Sequence, residues 1–208
     1  MKAAQHRTTD ELWLDTLEEV CARAAHEVKG VLNGVSVNLE VVRSRSARSS
    51  GETASVRPFA ESASGQFERL SDMSEALLTL CRAPRDPVEI TPTVKQLLAL
   101  LEPVAKVDGT AIDVSEANGA GAVRARGNVV RLVLASAFLA ALDRKVDIRC
   151  DVELGTDAIV RITAGNDSIS VPSDVSDAAA RASIRIESDG GRISLAFPRA
   201  GRRAHETA

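Results

Sequence analysis

Apolar residues recur at three- and four-residue steps along the segment Leu14–Val42. This spacing places them on one face of an α-helix, so the segment is predicted to be a single long helix. The preceding "TTDE" fits a capping box, with Thr8 as the N-cap residue and Glu11 three positions later. Gly30 and Gly34 lie inside this helix, where each costs roughly 1 kcal/mol relative to alanine. A requirement other than helix propensity is therefore expected at these two positions.

A second apolar seam runs from Phe59 to Leu80 and alternates four- and three-residue steps. Such near-heptad spacing predicts a second long helix. The stretch between the two patterns, RSRSARSSGETASVRP, residues 43–58, breaks the periodicity and predicts a loop. Two helices joined by a loop form an antiparallel hairpin, which alone buries too little apolar surface. We therefore expect two chains to pair as a homodimer with a four-helix bundle.

The pattern changes after the linker RAPRDP, residues 82–87. Period-two alternation there predicts strands, and helical segments lie between them, which indicates an α+β fold with helices packed on one face of a sheet. The predicted elements are a strand and helix in VEITPTVKQLLALLEPVAKV, a strand in TAIDVSEA, a buried helix in NVVRLVLASAFLAALDRK, a hairpin in VDIRCDVEL and DAIVRITAGN, and a closing strand in ISLAFP. The expected division is a helical hairpin over 1–83, an α/β sandwich over 88–200 and a disordered tail over 201–208.

Composition restricts the class of protein. With 44% hydrophobic and 26% charged residues, the chain is typical of a globular protein, and its net charge of −3 gives no reason to expect nucleic acid or an anionic membrane as partner. Cys21, Cys81 and Cys150 form no CxxC motif, so free thiols in a reducing compartment are expected. The longest apolar run, Leu132–Leu142, is shorter than the ~18–20 residues of a membrane span. We expect a cytoplasmic protein without membrane contact, and no histidine–cysteine spacing predicts a metal site.

His26 and Glu27 form the one pair along the first helix with an evident chemical use. A neutral imidazole is a good nucleophile near its ordinary pKa of ~6.5. A neighbouring carboxylate can orient the ring and accept its proton. The alternative is a solvated pair on a helix surface, and Arg23, four residues before Glu27, gives that acid a role without chemistry.

The sequence around this pair, HEVKGVLN from His26 to Asn33, resembles the phospho-acceptor box of bacterial two-component sensor histidine kinases. The resemblance in layout extends from about Leu12 to Pro198. It implies a dimerisation and histidine-phosphotransfer domain followed by an ATP-binding domain. A phosphoryl group on His26 would then be exchanged with an aspartate of a response-regulator receiver.

The second half departs from that family at the residues that hold nucleotide. The asparagine that binds magnesium in the family falls at about Ala140, and the aspartate that reads adenine falls on Ala164. Its two loop glycines fall on Asn166 and Ser168. Without these groups ATP is not expected to bind. The chain therefore looks closest to the dimeric histidine phosphotransferases of bacterial phosphorelays, which keep a degenerate ATPase-like domain.

This resemblance assigns roles to the residues of the first helix. His26 would attack the phosphoryl group, and Glu27 would orient the ring. No cofactor is expected in this chain, because the receiver would bring its own Mg²⁺. Receiver binding is expected at a set of neighbouring positions: Arg23, Val28, Lys29, Leu32 and Asn33.

Other readings of the same scaffold stay open. The chain could be a pseudokinase adaptor that binds a receiver or a kinase without phosphate on His26. A less favoured alternative is an active histidine kinase with a divergent nucleotide pocket. Family members with phosphatase activity commonly carry Asn or Thr four residues after the histidine, where this chain has Gly30, so weak phosphatase activity is expected.

Overall fold

The computed structural model describes residues 7–46, 53–84, 86–115 and 121–200, with helices and strands in a mixed α and β arrangement. The helices are α1 (Thr9–Ser46), α2 (Thr53–Cys81), α3 (Ile90–Val107), α4 (Gly127–Leu142) and α5 (Ser173–Arg181). The strands are β1 (Val88–Glu89), β2 (Ile112–Ser115), β3 (Ala122–Val123), β4 (Ile148–Leu154), β5 (Asp157–Ala164), β6 (Arg185–Asp189) and β7 (Arg192–Pro198).

The predicted capping box opens α1. The backbone N–H of Thr8 donates to Glu11 Oε2 at 2.7 Å, and the backbone N–H of Glu11 donates to Thr8 Oγ1 at 3.3 Å. Each side chain thus satisfies a backbone N–H that the first helical turn leaves without a partner. Because both bonds are local, the sequence spacing alone was enough to predict them.

The two long helices pack side by side as an antiparallel hairpin. Asn38 Nδ2 donates to Ser62 Oγ and to Gln66 Oε1, both at 3.1 Å. Both helices run further into residues 43–58 than the apolar periodicity predicts, so the predicted loop is too long, and its centre, residues 47–52, lies outside the described part. The guanidinium of Arg45 lies 4.8 Å from the centre of the Phe59 ring, a contact that joins the two helix ends.

The second half contains a five-stranded sheet in the order β2-β4-β5-β7-β6, and β1 pairs separately with β3. Strands β2 and β4 are parallel, and the remaining neighbours in the large sheet are antiparallel. Buried residues alternate along β5, and its partners Cys150 and Ile193 on either side of Ile162 are buried as well. This alternation gives the sheet one apolar face, which packs against the helices, and one polar face.

The hairpin and the sheet share one apolar core. Leu12, Trp13 and Val20 of α1 belong to the same buried cluster as the residues of α4 and the sheet. Asn128 Nδ2, in the first turn of α4, donates to Asp10 Oδ1 at 2.9 Å. The first half of α1 is therefore packed against the α/β part as well as against α2.

Arg131 joins the end of α2 to α4. The residue is only 6% exposed, and its guanidinium donates to three backbone carbonyls: Nη1 to Leu80 at 3.2 Å and Arg82 at 2.7 Å, and Nη2 to Thr79 at 3.2 Å. Burial lowers the pKa of this arginine. The last carbonyls of a helix lack helical partners and carry partial negative charge, so a buried cation stabilises them.

The stretch SDGGR, Ser188 to Arg192, forms the hairpin turn between β6 and β7, with Gly190 at a φ of 53°. Strands β3 and β6 were not predicted, because they are short and lack an alternating apolar pattern. Within the described ranges, no helix combines the length and the apolar character needed to cross a membrane. The same ranges hold no group of three or more potential metal-binding side chains. The predicted tail, 201–208, lies outside them.

Candidate functional site

His26 lies on the exposed side of α1. The buried positions nearest to it, Ala24 and Val31, face α2 and the core, while the imidazole lies in solvent. Asn38 marks the side of α1 that contacts α2. At about 100° per residue, His26 lies roughly 120° from Asn38 round the helix axis. A protein partner can therefore reach the ring without rearrangement of the hairpin.

The helix brings only part of the predicted receiver-binding set to this side. Counted round the axis, Asn33 lies roughly 20° and Lys29 roughly 60° from His26, and both are exposed. Val28 and Leu32 lie roughly 160° and 120° away, so they are on a different face. The reason is the helical rotation itself, since residues two and six positions along do not share a face with the first.

Glu27 is half-buried on the side of α1 that faces α2. Among the described residues, neither the imidazole of His26 nor the carboxylate of Glu27 takes part in a hydrogen bond or ion pair. Successive residues on a helix point about 100° apart, which separates the two groups. An orienting contact between them would require a side-chain movement.

Arg23 connects the site to the α/β part of the molecule. Its Nη2 lies 2.6 Å from Glu19 and 2.8 Å from Asp143, which is the residue after the end of α4. Burial alone would lower the pKa of Arg23, but its hydrogen bonds to both carboxylates outweigh burial and raise it. The end of α4 is thus held against α1 one turn before His26.

A separate apolar surface covers one side of the hairpin, called here the apolar hairpin face. Leu32 lies about 120° past Asn38 on α1, and Leu78 lies about 120° past Gln66 on α2, in the direction of increasing residue number. Because the helices are antiparallel, rotations of the same sign bring both side chains to the same side. The members are between 46% and 62% exposed: Leu14, Leu32, Leu39, Phe67 and Leu78.

His26 lies on the opposite side of the hairpin from that face. Leu32 is displaced from Asn38 by about 120° in one direction round the α1 axis, and His26 is displaced by about 120° in the other direction. On α2, Asp72 and Gly65 also lie at about 120° and 100° from Gln66 in that other sense. A Cβ atom built at Gly30 or at Gly65 would have no neighbour within 4 Å, so the surface there is open. No α2 residue was predicted on this side, because the sequence alone does not show which residues of α2 lie beside which residues of α1.

Cys21, within the first half of α1, lies near Cys81, the last residue of α2. Burial raises the pKa of the Cys21 thiol, and the neighbouring Cys81 acts in the same direction. All three cysteines are free thiols, as the sequence predicted. In an antiparallel hairpin, moving forward along one helix means moving backward along the other by about the same number of residues. The pairing of Asn38 with Gln66 therefore places Cys21 beside the end of α2, where Cys81 lies.

At the end of β5 the chain passes from the apolar core to the surface. Ala164 is 1% exposed and belongs to the apolar core. Asp167 forms an ion pair with Arg144 at the surface. Gly191 packs so closely on the backbone of Gly165 that an added Cβ would lie 1.9 Å from the Gly165 carbonyl oxygen. The packing of Gly191 on Gly165 joins the loop after β5 to the β6–β7 turn.

No protein-family profile matches the chain, and no curated protein sequence matches it significantly. Solved structures do resemble its fold. One is the histidine kinase AdeS of Acinetobacter baumannii, 15% identical with a TM-score of 0.41, over 83% of this chain and 97% of AdeS. Another is full-length ShkA in complex with AMPPNP, 14% identical with a TM-score of 0.45, over 88% of this chain. The chain spans 46% of ShkA.

Proposed function

We propose that the chain is a histidine phosphotransfer protein of two-component signalling. It would accept a phosphoryl group on His26 from an aspartate of one response-regulator receiver and pass it to another receiver, without using ATP. The observation that carries this proposal is the exposed imidazole on a rigid two-helix scaffold, with no intramolecular partner among the described residues.

The transfer step requires access and charge balance. A ring nitrogen of His26 attacks phosphorus, the bond between phosphorus and the aspartate oxygen breaks, and the carboxylate leaves with the electron pair. Lys29 lies on the same side of α1 and can attract the acidic receiver surface or balance the phosphoryl charge. The open surface at Gly30 leaves room for the approaching receiver. The magnesium ion would be held by the receiver.

A homodimer gives the apolar hairpin face a partner. Its leucines and its phenylalanine form a row along both helices on the side away from His26. Two copies pairing through this face would form a four-helix bundle with both imidazoles outside. The site would then stay open to receivers in the dimer. Phe67→Glu is expected to give monomers in analytical ultracentrifugation. The control Glu75→Gln, at an exposed position on another side of α2, should leave the dimer intact.

The buried methyl group of Ala164 supports transfer without ATP. An aspartate there would have to place its carboxylate in the apolar core, which is costly without a buried partner. The close packing of Gly165 on Gly191 and the ion pair of Asp167 leave these groups engaged with protein. The chain would therefore depend on its partners for phosphate.

The adaptor alternative has one observation in its favour. Glu27 faces α2 and does not contact the imidazole of His26, so no carboxylate holds the ring in the orientation for attack. In that case the same side of α1 would bind a receiver, and His26 would contribute to binding only.

Phosphate transfer from labelled, phosphorylated receivers separates these alternatives. The wild-type chain, His26→Ala and His26→Gln would each be tested with a panel of receivers and, in parallel, with labelled ATP. His6→Ala is a matched control, since it removes a histidine near the N-terminus. Circular dichroism would confirm that the variants are folded, which is expected because the imidazole is exposed.

Label that reaches the wild type and His6→Ala from a receiver, but neither His26 variant, is the expected result. The label should be lost in acid and kept in alkali, as for a phosphoramidate. Receiver binding without label would favour the adaptor, and label from ATP would overturn transfer without ATP.

A further inference from the structure

Strand β6 is the last strand of the large sheet, and among the described residues it pairs only with β7. The two strands are joined by the two-residue turn Gly190–Gly191, with Asp189 paired to Arg192. In a two-residue hairpin the pair next to the turn exchanges backbone hydrogen bonds, and such pairs alternate along antiparallel strands. Glu187 and Arg185 therefore bond to β7 in the same way.

The backbone groups of the alternate residues must then point out of the sheet. These residues are Ile186 and Ser188, each with one N–H and one C=O directed at the free edge. Within the described part of the chain, no turn or loop contact uses these four groups. An unpaired row of this kind is a template for another extended strand.

A groove of about 890 Å³ runs along this edge, called here the β6 groove. Its apolar lining includes Val171, Ile184 and Ile186, and the small residues Ser176 and Ala180 of α5 form part of its side. Small side chains on the helix leave room beside the strand. The groove thus combines open backbone hydrogen-bonding groups with an apolar surface that alternate side chains of a strand can contact.

The charges beside the groove select among possible strands. Glu187 and Asp189 are exposed, and among the described residues neither forms an ion pair, whereas Arg185 is engaged by Asp157 at 2.7 Å. Arg192 and Arg161 lie on the same face but on β7 and β5, further from the free edge. The edge strand itself therefore carries more acidic than basic charge on the face of the sheet that lies away from the helices. A bound strand with basic residues on that face would be attracted.

We propose that the β6 groove binds an extended segment of a partner protein, which adds to the sheet as a further strand beside β6. Its apolar residues face the groove and alternate with basic residues that lie beside Glu187 and Asp189. The five residues of β6 correspond to roughly 17 Å of extended chain. This binding is independent of His26 and of any phosphate transfer.

Ser188→Pro is the sharpest test, because proline removes only the N–H that points out of the sheet. Proline is tolerated on edge strands whose N–H faces solvent, so the ladder to β7 is kept. Ser188→Ala is the matched control, since it removes the hydroxyl and keeps the N–H. Circular dichroism and thermal unfolding would verify that both variants keep the fold.

The probes are short synthetic peptides, about nine residues long, in which Val, Ile or Leu alternates with Lys or Arg. A matched set carries Asp or Glu in place of the basic residues. Binding would be measured by fluorescence anisotropy, and amide hydrogen exchange would be followed at Ile186 and Ser188. We expect binding by the basic set, protection of both amides, and a loss of about tenfold or more for Ser188→Pro with less than about twofold for Ser188→Ala.

Any of four results would overturn the proposal. One is that no peptide of the basic set binds, and one is that the acidic set binds as well as the basic set. Another is equal binding by Ser188→Pro and Ser188→Ala. The last is self-association of the chain that Ser188→Pro abolishes, since a second copy would then occupy the edge.

Discussion

Replacing Arg131 with methionine tests whether one buried cation holds the end of α2 against α4. The substitution keeps an unbranched side chain of similar reach and removes the guanidinium. Three carbonyls, those of Thr79, Leu80 and Arg82, then lose their donor. Because Arg131 is only 6% exposed, little water reaches the site of its guanidinium. Water would therefore be a poor replacement for the lost donor to these carbonyls.

The magnitude follows from the three contacts. A hydrogen bond to a charged group contributes about 1.5–3 kcal/mol, and the 2.7 Å bond to Arg82 should lie near the upper value. The two 3.2 Å bonds are longer and should contribute about 1 kcal/mol each. Removing a buried cation also recovers its desolvation cost, which offsets part of this loss. We expect the free energy of unfolding to fall by about 3 kcal/mol, and Tm to fall by about 6–12 °C.

The assay is urea unfolding followed by far-ultraviolet circular dichroism, at one protein concentration for all variants. Arg131→Lys keeps the charge but not the planar pair of donors, so it should lose less than the methionine variant. Arg124→Met is the control, since Arg124 is exposed and surface changes usually stay within about 0.5 kcal/mol. A loss below about 1 kcal/mol for Arg131→Met, or a loss equal to that of Arg124→Met, would refute the reasoning.

The remaining predictions concern glycines and the helix start. Gly191→Ala should reduce the free energy of unfolding by about 1–3 kcal/mol, because its Cβ would lie 1.9 Å from the Gly165 carbonyl oxygen. Urea unfolding measures this loss. The control Gly30→Ala, on the open surface of α1, should be neutral or stabilising. Hydrogen bonds from the Thr8 backbone and hydroxyl lower the pKa of Glu11, so its stabilising contribution is present above the ordinary value of 4.5 and is lost as pH falls through the lower folded-state pKa. Thermal unfolding of Glu11→Gln should accordingly vary less with pH in that range than the wild type, and equal pH profiles would contradict this. Gly30→Asn should increase hydrolysis of a receiver's aspartyl phosphate over the wild type, measured by phosphate release; unchanged hydrolysis would show that this position has no such role.

Local periodicity predicted most of the elements because each depends on neighbours in sequence. The capping bonds of Thr8 and Glu11 span three residues. The β6–β7 turn likewise depends on two consecutive residues, Gly190 and Gly191. The alternating apolar residues of β5 likewise indicate a strand without knowledge of its partners. Such elements could be recognised before any contact between distant segments was known.

Contacts between distant segments carry no periodic pattern. The bonds from Arg131 to the end of α2 join residues about fifty positions apart, and the bond between Asn128 and Asp10 spans 118 positions. A single arginine in an apolar helix does not specify which carbonyls it will meet. The same limit applies to β3, which pairs with a two-residue strand.

The candidate site shows a similar division. The exposure of His26 agrees with the apolar residues on the opposite side of α1, a pattern that is already present in the sequence. The separation of Leu32 from His26 also follows from helical rotation. Because the two residues are close in sequence, they were predicted to share one receiver-binding surface, but on the helix they lie on different faces. The contribution of Asp72 required the register between α1 and α2, which Asn38 and its partners define.

Trp13 is the only tryptophan in the chain, and it is 5% exposed in the core that the hairpin and the α/β part share. It lies one turn after Asp10, whose carboxylate accepts the bond from α4. Tryptophan emission responds to the polarity of its surroundings. The protein therefore carries its own optical reporter at the joint between its two parts. A partner that shifts the α/β part relative to α1 would change the emission wavelength, whereas one that binds at His26 alone would leave it unchanged.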